Sequence, residues 1–88
     1  MLLIECRLIV FIWRYLSSMD ITLVFGQKVR EVRKRLKISQ DELAGLCGLH
    51  RTYIGAVERG ERNITLLNAE KISDALQVSL SELVSRND

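Results

Sequence analysis

Apolar residues recur along most of this chain at the three- and four-residue steps of an α-helix, which predicts an all-α protein. From about Ile21 to Lys37 the stripe is Phe25, Val29, Val32 and Leu36, with gaps of four, three and four. Leu43, Leu46 and Cys47 then share one face of a second, shorter helix, and Ile54 with Val57 marks a third. A fourth begins after Thr65, a suitable cap, and turns Ala69, Ile72 and Leu76 inward. A short fifth carries Leu80, Leu83 and Val84 behind Ser79, which forms a Ser-x-x-Glu box with Glu82. The expectation is a compact five-helix domain over residues 19–88.

The junction of the second and third helices carries the most information. Ser39 opens a reciprocal cap with Glu42, and Ala44 is small where two helices must approach closely. Gly48 falls where the second helix has to stop, and glycine accepts the left-handed conformation that such a stop often needs. Gly60 ends the third in the same way. Two short helices about a glycine-centred turn, the second with a basic, hydroxyl-bearing start, form the pattern of a helix-turn-helix. Such a unit lays its second helix in the DNA major groove. With Ile54 and Val57 buried, Arg51, Thr52, Gly55 and Ala56 lie on other faces, open to DNA.

Residues 1–18 differ in kind. LLIECRLIVFIWRYL is apolar on nearly all sides, interrupted by Glu5, Arg7 and Arg14. Its longest unbroken apolar run, Leu8 to Trp13, is far short of the ~20 residues that span a bilayer. No small-residue cleavage site follows it, so it fits a secretory signal poorly. Three readings stay open: the upstream codons of a misassigned start, an added packing or dimerisation segment, or a membrane-surface helix.

Composition narrows the class further. Eighty-eight residues suffice for one small domain, and the chain has no proline. A net charge of +2 says little about nucleic acid, but Lys28, Arg30, Arg33, Lys34, Arg35 and Lys37 crowd one segment against Glu31 alone. That run is either a solvated face or a source of phosphate contacts. The two cysteines, Cys6 and Cys47, and the single histidine, His50, have no metal-ligand spacing, so no metal, cofactor or disulfide is expected. A reducing cytoplasm fits this usage. Neither a catalytic triad or dyad pattern nor a glycine-rich phosphate loop is visible, and an enzyme is not expected.

The motifs FGQKVREVRKRLKISQDELAGLCGL, RTYIGAVERGERN and EKISDALQVSLSEL together resemble the lambda-repressor-like (Cro/phage-repressor) class of helix-turn-helix regulators. The run GLHRTYIGAVERGERNITLLN is similar to the controller proteins of restriction–modification systems. The resemblance implies a sequence-specific transcription regulator whose partners are double-stranded DNA and a second copy of itself. One or two such dimers sit on a promoter, and RNA polymerase is a further partner that the resemblance admits. A phage-type or toxin–antitoxin repressor is the alternative within the class. An interaction module that keeps the fold without DNA binding, or a membrane-associated regulator, is the alternative outside it.

Residue by residue, the resemblance implies that Arg51 and Thr52 face base edges, with Ala56 one turn on and near a thymine methyl. It implies backbone contacts for Gln40, Tyr53, Arg62 and Asn63, and an ion pair between Arg33 and Glu58. Arg51 could instead touch only phosphate, Tyr53 could simply pack, and His50 reads as a helix-start or phosphate-proximal residue. Leu67, Leu80, Leu83 and Val84 are the expected dimer surface. Ile64, Ala69, Leu67 and Gly55 depart from the class pattern: a less rigid loop, a smaller core, an exposed apolar residue and a glycine inside a helix.

Overall fold

The computed structural model describes residues 20–86, and the expectations for residues 1–18 lie outside them. Five helices follow in order, α1 (Ile21–Arg35), α2 (Gln40–Cys47), α3 (Arg51–Glu58), α4 (Leu66–Leu76) and α5 (Leu80–Leu83). Their starts follow local chemistry. Asp20, Ser39, His50, Thr65 and Ser79 each cap one helix by accepting a backbone N–H of its first turn. At α2 the box is complete, with Ser39 Oγ accepting from Glu42 N at 3.0 Å and Glu42 Oε1 accepting from Ser39 N at 2.8 Å.

The stops are equally regular. Lys37, Gly48, Gly60 and Gln77 take left-handed backbone conformations just past α1, α2, α3 and α4. At each, the next residue's N–H reaches back five positions, as in Ile38 N to Arg33 O at 3.2 Å and Leu49 N to Ala44 O at 3.0 Å. This pattern re-satisfies carbonyls that a helix end leaves open. Ile38, Leu49 and Val78, the residues that follow three of these turns, then pack on the core. The first stop shortens the expected α1. Leu36 becomes its cap and stands 43% exposed, and Ile38 packs inward beyond it.

One core unites the helices. Phe25, Val29 and Val32 of α1 meet Leu43, Ala44 and Cys47 of α2, Ile54 and Val57 of α3, Ala69, Ile72 and Leu76 of α4, and Leu83 of α5. Two expectations change here. Leu46 is 65% exposed, because α2 is wedged between α3 and α4 and buries the arc through Leu43, Cys47 and Ala44, the small residue expected at the close approach. Leu83 is fully buried within its own chain, so it belongs to the core and not to a dimer surface.

Gly26 sets the spacing of α1 and α3. A Cβ on Gly26 would collide with the carbonyl oxygen of Val57 and stand 2.9 Å from that of Glu58. Both obstacles are backbone, so neither can rotate away. Gly26→Ala is therefore expected to force α1 off α3 and to cost about 1–3 kcal/mol or more, despite alanine's better helix propensity. Urea denaturation of the two proteins measures this directly.

Candidate nucleic-acid interface

The second and third helices are joined by the short turn Gly48–His50. Gly48, at φ 70°, reverses the chain, and Leu49 packs beneath it. His50 then caps α3, its Nδ1 accepting from Thr52 N at 3.2 Å. The reading of His50 as a helix-start residue is thus the one the geometry carries. Ile54 and Val57 lie in the core and hold the inner face of α3. The outer side of its first turn presents Arg51 and Thr52, both exposed.

The ion pair expected of Arg33 and Glu58 is present. Arg33 Nε donates to Glu58 Oε2 at 2.6 Å and Nη2 to Oε1 at 3.0 Å, a bidentate pair with side chains only 11% and 4% exposed. The remaining Nη1 donates to the carbonyl of Ile38 at 3.0 Å. The bond from Glu58 raises the pKa of Arg33 further above its ordinary value. Gln40 joins the same carboxylate, its Nε2 donating to Glu58 Oε1 at 3.1 Å. One carboxylate thereby ties α3 to α1, and through Gln40 to the start of α2.

Tyr53 is half-buried and packs against the core. Its hydroxyl accepts from Asn68 Nδ2 at 3.2 Å, and the Arg62 guanidinium lies 5.9 Å from its ring centroid. Asn68 was not foreseen. Its signal in the sequence is only a polar residue three positions after a capping threonine. Asn63 is exposed in the loop beside Arg62.

Ala56 is corrected by the fold. It is 6% exposed, closed in by the packing of α3, so no free methyl is there to meet a thymine. Gly55 is also buried, beneath the ends of the Gln40 and Arg59 side chains. The exposed first turn of α3 and the loop after it, not its middle, therefore make up the outward surface. Cys47 behaves as a small hydrophobe, and burial pushes its thiol pKa up. No helix among the described residues is long and apolar enough to cross a membrane.

A family profile described as helix-turn-helix matches residues 29–83. The chain belongs to the helix-turn-helix family. Within it, this helix-turn-helix protein is 53% identical over 66 residues to the control protein C.BamHI of Bacillus amyloliquefaciens, across 74% of this chain and 82% of that one. It is 46% identical over 68 residues to the control protein C.SmaI of Serratia marcescens, across 77% and 81% of the two chains. Among solved structures, the restriction-modification controller protein C.AhdI from Aeromonas hydrophila is similar with a TM-score of 0.69 and 47% identity. That match covers 70% of this chain and 94% of the other.

The Arg33–Glu58 pair sets a clear expectation. Glu58→Ala strands a guanidinium that is largely shielded from water, at a cost of about 3–5 kcal/mol. The double substitution Arg33→Met with Glu58→Leu removes both charges and should lie closer to the parent. A thermal-unfolding double-mutant cycle checks both statements.

Proposed function

We propose that this protein is a cytoplasmic transcription regulator that binds a pseudo-palindromic operator as a homodimer and controls a restriction–modification operon. One observation carries the reading. Arg51 and Thr52 stand exposed on the first turn of α3, with no side-chain partner among the described residues, in a chain 47% identical to the restriction-modification controller protein C.AhdI. An arginine there can bond the O6 and N7 of a guanine together, and a threonine offers a hydroxyl and a methyl. Tyr53 lies on this turn, Arg62 stands against its ring and Gln40 lies over Gly55 one turn on; together with Asn63 these would take the DNA backbone. Of these, Tyr53 is already anchored through Asn68, so its contribution is to hold the edge of α3 in place as well as to touch phosphate.

The dimer surface in this reading centres on α4 and α5. Leu67 is 62% exposed and Val84 38%, with Leu80 half-buried between the core and solvent. Leu66, 80% exposed, was not foreseen and belongs with them. Beside these residues an apolar cavity of about 270 Å³ opens next to Ala69, lined also by Ile21 and Phe25. Ala69 lines this hollow, and a second copy that inserts apolar side chains there would bury it with the exposed leucines. A two-fold axis at that end sets the two recognition helices about one DNA turn apart, ~34 Å. Bound in this way, one dimer or two on a promoter would set whether RNA polymerase is recruited or excluded.

Two outcomes are expected. Arg51→Ala should cost about 1–3 kcal/mol on the preferred duplex and relax base choice at one position per half-site. Selection from a random DNA pool, run for parent and variant, measures it; uniform weakening would mean that Arg51 touches phosphate alone. Leu67→Asp should give a monomer with unchanged helical circular dichroism and weaker operator binding, because it sets a charge in the apolar contact. Sedimentation of a variant that is still dimeric would move the interface elsewhere.

A further inference from the structure

Arg51, Gly55 and Arg59 stand one turn apart on a single stripe of α3 and its cap. The middle position is bare, and two side chains converge over it. A Cβ on Gly55 would stand 3.3 Å from Arg59 Nη1 and 3.4 Å from Gln40 Oε1. The Arg59 guanidinium therefore folds back along α3 toward the base-reading turn, and does not extend away from the helix end. Its Nε donates to Glu61 Oε2 at 2.9 Å, with the two side chains 59% and 57% exposed. Gln40 is fixed from behind by Glu58 and keeps its second amide hydrogen for another acceptor.

We propose that Arg59, seated over Gly55 beside Gln40, binds a DNA phosphate, and that Glu61 is an internal counter-ion which that phosphate displaces. This rests on the DNA-binding reading above and adds to it a site and a built-in competitor. A guanidinium and an amide side by side offer several N–H donors to one oxyanion. The Arg59–Glu61 pair is exposed on both sides, so it contributes little and gives way easily to a backbone phosphodiester anion. Mutual attraction in the pair shifts both groups toward their charged forms, Glu61 downward and Arg59 upward. Glu61 therefore stays ionised in the free protein and holds an Arg59 donor that a phosphate would take. Gly55 supplies the room: a side chain there presses on the two groups at once. The pair tunes affinity downward, which keeps the protein from lingering on DNA that lacks its operator.

Fluorescence anisotropy of the full chain on a random-sequence duplex tests this without knowledge of the operator, because such binding comes from phosphate contacts. Arg59→Ala should weaken binding about 3–10-fold and reduce the slope of log K against log salt by about 0.9 per site. Glu61→Gln should tighten it about 2–5-fold, and most of that gain should vanish when Arg59 is already alanine. Gly55→Leu should reproduce the loss seen with Arg59→Ala while circular dichroism shows the helices intact. An unchanged salt slope in Arg59→Ala overturns the proposal, as does a Glu61→Gln gain that is fully kept without Arg59. If the parent binds neither the random duplex nor any selected one, the DNA-binding reading itself fails, a result distinct from either of these.

Discussion

The carboxylate of Glu58 is the point through which the interface is held. α3 has only two turns, too short to persist in water without tertiary support. Its inner face gains that support from Ile54 and Val57, but burial alone leaves a short helix free to slide or rotate. The bidentate bond from Arg33 removes that freedom at the C-terminal end of α3. The same guanidinium reaches the Ile38 carbonyl, which fixes the loop leading into α2, and Gln40 closes the loop from the α2 side. Gly26 makes this possible by letting α1 come within backbone distance of Val57 and Glu58. Polar bonding and close steric approach therefore converge on one end of α3, and the other end is left to face outward.

This division explains why some features were legible in the sequence and others were not. The caps at Ser39, Thr65 and Ser79 and the stop at Gly48 depend on a residue and its near neighbours, so they could be read locally. The Arg33–Glu58 pair lies twenty-five residues apart in sequence and came only from the family resemblance. Leu46 turns outward because burial on α2 depends on where α3 and α4 press, which helical spacing does not encode. Ala56 and Leu83 are expected outward for the same reason: helical spacing alone does not show that the fold buries them. Lys37 and Gln77 take left-handed backbones that neither side chain announces. The importance of Gly26 shows only when the carbonyls of α3 are set beside it.

The outward surface mixes fixed and free parts. Tyr53 is anchored by Asn68, and Gln40 by Glu58, so these two are held in place before any partner arrives. Groups fixed in advance lose little conformational entropy on binding. Arg51 and Thr52 stand at the opposite extreme, with their side chains unpartnered among the described residues.

That separation has a consequence for how such a protein can change. The His50 cap bonds the backbone of Thr52 and makes no use of its side chain. The two positions to which the proposed function assigns base reading are thus decoupled from the forces that fold the domain. Their replacement leaves the core, the ion pair and the helix cap as they were. New recognition preferences can be explored by drift or by library without a stability penalty, and a pair of related regulators can diverge to separate addresses on one genome while sharing the same scaffold.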